Sequence, residues 1–160
     1  PFPTVERWAA GLQRLRSRFD GGSGPLPPDL VSRAESLFES LFASSQERVL
    51  LHGDLHHLNI LRAERAPWLA IDPKGVVGER GYEVGALVRN ALPPQPTRSE
   101  LRRLLARRLD LLAEHLGLDR DRLVAWSAAH AVLSACWSTE DHGSGWESAI
   151  DCAEVLAEQL

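Results

Sequence analysis

One stretch of this sequence decides the fold: His52-Gly53-Asp54-Leu55-His56-His57-Leu58-Asn59. Asp54 and Asn59 stand five positions apart in it, and a second carboxylate, Asp72, follows thirteen residues after Asn59. Gly53 permits a backbone turn that a side chain would hinder. Short apolar runs join the three polar side chains, so we expect a tight polar loop between buried strands.

These three side chains are the ones that phosphoryl transfer needs. One carboxylate takes the proton of the acceptor hydroxyl, an amide oxygen holds a magnesium ion, and a further carboxylate holds the metals that bridge the nucleotide phosphates. The catalytic loop of protein kinases runs Asp, four residues, Asn, with a metal-binding Asp after a pair of strands. Asp54, Asn59 and Asp72 fit that order and spacing.

The segments between Asn59 and Asp72 predict a small β-hairpin. Residues 59–63 and 68–71 are apolar enough for two short strands, with a turn between them. Antiparallel strands joined by a turn place the start of the first beside the end of the second. We therefore expect Asn59 and Asp72 at the same end of the hairpin. Residues 49–51 predict a buried strand that leads into the motif, and residues 74–78 predict a loop.

The remainder of the chain predicts helices, because apolar residues recur at helical spacing. Thr97 with Glu100, and Ser144 with Glu147, have the spacing of capping boxes, and Gly117 is a typical helix stop. We expect a single domain over residues 1–160, mostly α with a small β-hairpin. The predicted helices cover residues 5–19, 29–43, 82–92, 97–116, 119–139 and 144 to the C-terminus.

Composition bounds the class of protein. The chain has 160 residues, 44% apolar and 25% charged, which is typical of a globular domain with a real core. No run of eighteen apolar residues predicts a membrane span, and the first residues lack the pattern of a signal peptide. The net charge of −4 argues against nucleic acid as a partner. The absence of methionine favours a piece of a longer protein.

Cys136 and Cys152 are the only cysteines and form no C-x-x-C pair. Two cysteines do not make a disulfide framework, so we expect two buried small hydrophobes. A reducing compartment, and hence a cytoplasmic location, fits this usage.

Several side chains around the motif are candidates for secondary roles. His52 is expected to pin the loop by hydrogen bonds. Of His56 and His57, one is expected near the acceptor or the phosphates and the other to face outward. Lys74 is either a charge near the phosphates or a solvated loop residue.

Two further groups lie later in the chain. Tyr82, Glu83 and Arg89 are expected to form an ion-pair and hydrogen-bond network that holds the catalytic loop from behind. Glu140 and Asp141 stand near a predicted helix end, before a Gly-Ser-Gly stretch, and are candidates for binding cationic groups of a substrate.

Segments covering nearly the whole chain resemble the aminoglycoside phosphotransferase superfamily. Residues 51–61 resemble its catalytic loop. Residues 68–78, 82–90 and 135–141 are similar to the branch of streptomycin 6-phosphotransferases and hydroxyurea phosphotransferases.

The resemblance implies the C-terminal lobe of a protein-kinase-like (α+β) fold. It also implies ATP-dependent phosphorylation of a hydroxyl on a streptomycin-like aminoglycoside or on hydroxyurea, which confers resistance. Asp54 then matches the catalytic base, and Asn59 and Asp72 match the Mg²⁺ ligands. One residue departs from the family pattern, since Leu58 replaces a glycine. If that position requires positive φ, we expect strain of roughly 1–2 kcal/mol there.

A larger departure concerns the nucleotide. Kinase-like enzymes cover the phosphates with an N-terminal lobe that carries a glycine-rich loop and a lysine on a strand. Residues 1–51 predict two helices and no such elements. We therefore expect the N-terminal lobe of the same parent protein to be the partner of this chain, beside the small-molecule substrate. The chain alone is expected to be nearly inactive.

Three alternatives stay open. A metal-dependent hydrolase could use His52, His56 and His57, because imidazole and carboxylate are zinc ligands. A non-catalytic binding module derived from a kinase would bind a substrate without transferring phosphate. A kinase of the same fold could act on choline, homoserine or a sugar.

Overall fold

The computed structural model describes residues 1–160, which form seven α-helices, four short strands and one 3₁₀ turn at His57–Asn59. The helices are α1 (Val5–Ala9), α2 (Gly11–Arg18), α3 (Pro28–Ser44), α4 (Arg80–Arg89), α5 (Arg98–Leu116), α6 (Arg120–Asp141) and α7 (Glu147–Ala157). The strands are β1 (Val49–Leu51), β2 (Ile60–Leu61), β3 (Leu69–Ala70) and β4 (Val76–Gly78). The prediction of a mostly α architecture with a small hairpin is confirmed.

Helix α6 is the centre of the core. Its sequence is apolar on nearly every face, which is typical of a helix surrounded by other elements. It packs against α2, α3, α4, α5 and α7, and small residues such as Ala129, Ala131 and Ala135 are fully buried in it. Trp126 of α6 lies edge-on to Tyr82 of α4, with ring centroids 5.8 Å apart. The motif segment therefore rests on a rigid helical base.

Two antiparallel strand pairs carry the motif. In the first, β1 pairs with β4 in the register Val49 to Gly78. In the second, β2 pairs with β3, so that Ile60 faces Ala70 and the predicted hairpin is confirmed in a shorter form. The prediction of a loop at residues 74–78 is wrong for β4. Its β-branched Val76 is fully buried and supplies the partner that β1 needs.

The predicted first helix is divided at Ala10 into α1 and α2. The Sγ atom of Cys136 lies 3.3 Å from the carbonyl oxygen of Gly11 and donates to it. A Cβ at Gly11 would also lie only 3.1 Å from Leu133 of α6. The close approach of α6 at this point coincides with the local change of helix geometry, and the sequence pattern alone contains no sign of it.

The helix ends match the predicted signals with two exceptions. The helix predicted over residues 82–92 runs instead from Arg80 to Arg89. Thr97 and Glu100 form the capping box, and Gly117 ends α5 with a φ of 63°. The predicted capping box of Ser144 and Glu147 is wrong, because the N-cap of α7 is Trp146 and no side chain caps it. None of the helices combines the length and the hydropathy that a membrane crossing requires.

Both cysteines are buried and unpaired, as predicted. Burial raises the pKa of the Cys136 thiol to about 12 and that of Cys152 to about 11. Neither thiol is therefore a nucleophile at neutral pH.

The crossing of α4 and α6 at Gly85 gives a test of this packing. A Cβ at Gly85 would lie 2.7 Å from the Cβ and Cγ atoms of His130. We expect Gly85→Ala to lower the free energy of unfolding by about 2 kcal/mol, although alanine is the better helix former by about 1 kcal/mol. Urea denaturation measures the change. The penalty should shrink in the Gly85→Ala/His130→Gly double variant, which removes both contacting atoms, and an unchanged stability of Gly85→Ala would contradict the close approach.

Candidate active site

The loop that carries Asp54 turns at Gly53, whose φ is +85°. A Cβ at this position would lie 2.7 Å from the Trp8 ring and 3.0 Å from Val76, so only glycine fits. Trp8 in turn packs edge-on against Trp137 of α6, with centroids 5.8 Å apart. Trp8 thus forms the floor of the loop, a role that its place in a helical pattern does not indicate.

Asp54 presents its carboxylate at the surface of this turn, with 37% of its side chain exposed. Its Oδ1 atom lies 3.7 Å from Nε2 of His56, and its Oδ2 atom lies 3.8 Å from Nζ of Lys74. Neither distance is that of a hydrogen bond. The carboxylate therefore has free lone pairs and room to accept a proton from a third group.

Asn59 is buried immediately behind Asp54. Its Nδ2 atom donates to the Asp54 carbonyl oxygen at 2.9 Å. This bond fixes the amide plane, and no hydrogen bond within the chain uses the amide oxygen. An amide oxygen held in this way is a ready ligand for a hard cation.

Asp72 stands at the same end of the hairpin as Asn59. The Ile71 N–H donates to the Asn59 carbonyl oxygen at 3.0 Å, which extends the pairing of β2 and β3 up to Asp72. Asp72 itself has a φ of +55°. A left-handed conformation in a residue other than glycine costs of order 1–3 kcal/mol and is concentrated at functional sites. No local sequence pattern predicts this conformation.

His52 links the loop to the hairpin. Its Nε2 atom lies 2.8 Å from the Ile71 carbonyl oxygen, and its Nδ1 atom accepts from the Asp54 N–H at 3.3 Å. Because a carbonyl oxygen only accepts, Nε2 carries the proton. The His52 carbonyl oxygen also accepts from the N–H groups of Lys74 and Gly75. His52 thus contacts the segments of both carboxylates.

Lys74 lies between these carboxylates. Its Nζ atom is 2.6 Å from Oδ2 of Asp72 and 3.8 Å from Oδ2 of Asp54. The hydrogen bond with Lys74 lowers the pKa of Asp72, and the same bond raises the pKa of Lys74. Both groups are therefore charged at neutral pH. Of the two interpretations of Lys74, the structure favours a charge within the site over a solvated loop residue.

The residues expected behind the loop do different things. Glu83 accepts from the Gly53 N–H with both carboxylate oxygens, each at 3.1 Å. Arg89 points elsewhere, and its Nε atom donates to Nδ1 of His130 at 3.4 Å. Tyr82 is buried against aromatic rings and its hydroxyl has no hydrogen-bond partner. The predicted ion pair among these residues is wrong, because Glu83 bonds to the loop backbone and Arg89 to a histidine.

Of the remaining candidates, His56 lies near Asp54, whereas His57 and the two acids at the end of α6 do not contact it. His56 lies beside Asp54, whereas His57 is exposed. Glu140 forms an ion pair with Arg14 of α2, at 3.2 Å, and this pairing occupies its carboxylate. Asp141 is exposed at the end of α6. Neither acid forms a hydrogen bond or an ion pair with the residues around Asp54, so the structure gives no support to substrate binding by them.

The expected strain at Leu58 is absent. Leu58 lies in the 3₁₀ turn, is not among the residues with positive φ, and is 67% exposed. The turn accepts any side chain that can face solvent at this point. The departure from the family glycine therefore leaves the loop geometry intact.

The donor set around Asp54 fits magnesium better than zinc. No three His, Cys, Asp or Glu side chains lie close enough together to hold a metal ion. Both ring nitrogens of His52 are used in hydrogen bonds, which leaves the histidine-based hydrolase without its ligand set. Magnesium requires only one or two protein oxygens when substrate phosphates and water complete its shell. The oxygens of Asn59 and Asp72 meet that requirement.

A comparison with known proteins shows the family of this chain. The sequence model of the family described as aminoglycoside/hydroxyurea antibiotic resistance kinase matches residues 1–142. The chain belongs to this family. The mostly α architecture with its hairpin is accordingly that of the C-terminal lobe of a kinase-like fold.

Individual relatives of this chain have names that agree with the aminoglycoside/hydroxyurea kinase family. It is 40% identical to a streptomycin 6-kinase of Streptomyces griseus over 149 residues, which are 92% of the chain and 48% of that protein. It is 40% identical to a hydroxyurea phosphotransferase of Kitasatospora aureofaciens, over 67% of the chain and 29% of that protein. It is 38% identical to a streptomycin 3''-kinase of Klebsiella pneumoniae, over 69% of the chain and 42% of that protein. The chain thus spans about half or less of the length of these relatives.

The bond from Gly53 to Glu83 should control the order of the loop. Hydrogen bonds to charged groups contribute about 1.5–3 kcal/mol, so we expect Glu83→Ala to speed exchange of the Gly53 amide hydrogen at least about tenfold. Hydrogen exchange followed by NMR measures this rate. Glu39→Ala, which removes an exposed carboxylate from α3, is the control and should leave the rate unchanged. Equal protection of Gly53 in both variants would show that Glu83 does not hold the loop.

His130 predicts a pH dependence of stability. Burial, and then the nearby charge of Arg89, hold the pKa of His130 well below its usual value of 6.5. Below pH 6.5 the unfolded chain binds a proton that the folded chain does not, so the free energy of unfolding falls as the pH falls. We expect a loss of about 1 kcal/mol per pH unit between pH 6 and pH 5. Urea denaturation at several pH values measures the slope.

Two variants isolate the contribution of His130. His130→Gln keeps an acceptor for Arg89 but cannot bind the proton, so its slope should be shallower than that of the wild type. His115→Gln changes an exposed histidine of α5 and should keep the wild-type slope. A slope that is the same in all three proteins would rule out His130 as the source.

Proposed function

We propose that this chain carries the catalytic base and the Mg²⁺ ligands of an ATP-dependent kinase that phosphorylates a hydroxyl of a small molecule. The observation that carries the proposal is the proximity of Asp54, Asn59 and Asp72. The ammonium of Lys74 contacts both carboxylates, at 3.8 Å from Asp54 and 2.6 Å from Asp72. The side-chain amide of Asn59 donates to the Asp54 carbonyl oxygen, and the Ile71 N–H, next to Asp72, donates to the Asn59 carbonyl oxygen. Hydrogen bonds to backbone groups hold the segments of Asp54 and Asn59, and Asp72 itself has a left-handed backbone conformation.

Asp54 acts as the general base. Its carboxylate is partly exposed and has no hydrogen bond to its side-chain oxygens, so an acceptor hydroxyl can approach it. The proton of that hydroxyl passes to Asp54, its oxygen bonds to the γ-phosphorus, and the bond between that phosphorus and the β–γ bridging oxygen breaks to release ADP. Positioning and charge neutralisation supply most of the rate in such reactions.

Asn59 and Asp72 hold Mg²⁺, which when bound neutralises charge on the nucleotide phosphates. Asn59 contributes an amide oxygen whose plane is fixed by its bond to Asp54. Asp72 contributes a carboxylate that is ionised at neutral pH, because Lys74 lowers its pKa. His52 keeps these ligands and the base in one frame through its bonds to Ile71 and Asp54.

The proposed acceptor is a hydroxyl of a streptomycin-like aminoglycoside or of hydroxyurea, and phosphorylation would confer resistance. Support comes from the names of relatives about 40% identical to this chain, which act on streptomycin or hydroxyurea. The glycine-rich loop and strand lysine that cover the phosphates in kinase-like enzymes have no counterpart in residues 1–160. We propose that an N-terminal lobe of the same protein supplies them, and that the 160 residues alone transfer little phosphate.

Phosphate transfer by the full-length protein tests the proposal. We expect ATP consumption with streptomycin or hydroxyurea as acceptor. General base catalysis contributes about a hundredfold to ten-thousandfold, so Asp54→Asn should lower kcat by that factor. The control is Asp151→Asn, which changes an exposed carboxylate of α7 and should keep the wild-type rate. An undiminished rate in Asp54→Asn would remove Asp54 from the role of base.

Two outcomes would favour other functions. Phosphate transfer to choline, homoserine or a sugar, without transfer to either antibiotic, would indicate a different small-molecule kinase of the same fold. Binding of an acceptor by the full-length protein with no transfer to any of these compounds would indicate a binding module.

A further inference from the structure

Lys74 is the only lysine in a chain of 18 basic residues, and the other 17 are arginine. Its position is the one between the two aspartates of the site. Lysine and arginine are not interchangeable, because the ammonium is a compact point charge on a flexible stem, whereas the guanidinium binds carboxylates in a planar, two-point manner. An arginine between Asp54 and Asp72 would be bound firmly. A lysine can be held and released.

The ammonium of Lys74 engages one oxygen of the carboxylate to which the proposed function assigns the metal ion. It is 2.6 Å from Oδ2 of Asp72, which is the distance of a short hydrogen bond, and it engages that oxygen directly. Asp72 and Lys74 are both substantially exposed, with 66% and 46% of their side chains accessible. Exposed ion pairs are weak, so a divalent cation can replace the ammonium at Asp72.

The backbone of Lys74 is fixed while its side chain is free to swing. The N–H groups of Lys74 and Gly75 both donate to the His52 carbonyl oxygen, at 2.9 and 3.1 Å. A Cβ at Gly75 would lie 2.8 Å from the Phe2 ring, so this ring covers the next residue as well. A release from Asp72 therefore moves only the four-carbon stem, and the ammonium stays within reach of Asp54.

We propose that Lys74 is a catalytic residue with two positions, and this proposal rests on the function proposed above. Without nucleotide, its ammonium bridges Asp72 and Asp54 and serves as the resident cation of the site. When Mg²⁺ binds Asp72, the ammonium is displaced toward Asp54, where the acceptor oxygen and the γ-phosphoryl group meet. There it binds an oxygen of the transferring phosphoryl group, keeps its three protons and forms no covalent bond.

Charge balance supports this exchange. In the absence of ligands, the ammonium of Lys74 offsets the repulsion between the carboxylates of Asp54 and Asp72, both of which it contacts. With Mg²⁺ and nucleotide present, the phosphates bring new negative charge to the side of Asp54. A point charge already 3.8 Å from Asp54 is then placed to stabilise that charge as it moves toward the acceptor.

Metal binding without nucleotide tests the first position. Mn²⁺ titrations of the full-length protein, followed by electron paramagnetic resonance, compare the wild type with Lys74→Met and Lys74→Arg. Since an exposed ion pair contributes little, we expect Lys74→Met to bind Mn²⁺ about threefold to fivefold more tightly. Lys74→Arg keeps the charge and should bind no more tightly than the wild type. Unchanged or weaker binding by Lys74→Met would overturn the competition between the ammonium and the metal.

Kinetics test the second position. We expect Lys74→Met to lower kcat about a hundredfold, as does the loss of other groups that stabilise transition-state charge, with little change in KM for the acceptor. Lys74→Arg should recover part of kcat, because it restores a positive charge without the same reach. A wild-type kcat in Lys74→Met would overturn the catalytic role, and thermal melting should confirm that the exposed substitution leaves the fold intact.

A further variant separates this inference from the proposed function. Asp72→Asn should weaken Mn²⁺ binding in the same titration. If Asp72→Asn weakens binding while Lys74→Met changes neither binding nor kcat, the metal site stands and the inference about Lys74 falls. If Asp72→Asn leaves Mn²⁺ binding unchanged, the assignment of Asp72 as a metal ligand falls, and the inference falls with it.

Discussion

The pair of hydrogen bonds made by one imidazole, that of His52, is the constraint on which the site depends. One nitrogen donates to the Ile71 carbonyl oxygen and the other accepts from the Asp54 N–H. These partners lie seventeen residues apart along the chain. Because neutral imidazole has one donor and one acceptor, both are used and the ring has a single tautomer. The ring of His52 therefore constrains the separation of the segments that carry Asp54 and Asp72, in addition to the pairing of the hairpin.

Below the hydrogen bonds of His52, the contacts that support the loop change from polar to apolar. Glu83 holds the loop by its backbone at Gly53, and Trp8 fills the space where a side chain would otherwise be. Further in, Tyr82 and His130 pack edge-on at 5.1 Å in the core. The exposed groups can thus exchange partners with ligands, while their backbones are fixed by buried rings and by a helix crossing that only glycine permits at position 85.

Local signals made most of the fold predictable. Short-range patterns predict the helices: the apolar periodicity, the capping box at Thr97 and the helix stop at Gly117. Two apolar runs separated by a turn predict the hairpin. The wrong predictions concern places where contacts between distant segments determine the local structure. Strand β4 exists because β1 needs a partner 25 residues away, and the division at Ala10 coincides with contacts made by α6. Ser144 has the right spacing for a cap, but the turn before α7 places Trp146 there instead.

The residue types of the site were predictable from the sequence, but most of their hydrogen-bond and ion-pair partners were not. Spacing alone singled out Asp54, Asn59 and Asp72, whereas the partners of Glu83 and Arg89 depend on how α4 faces the loop and α6. Glu140 was a candidate because of its charge, yet Arg14 reaches it from 126 positions away. Pairing between charges that are distant in sequence is a property of the folded chain, and no local pattern encodes it.

The use of a single lysine also has a practical side. Reagents that attack primary amines, including many dyes, cross-linkers and coupling chemistries, would find in these 160 residues only the side chain of Lys74. Neutralising or enlarging that one side chain places an adduct between Asp54 and Asp72. Routine amine labelling would thus block access to both carboxylates of this site at once.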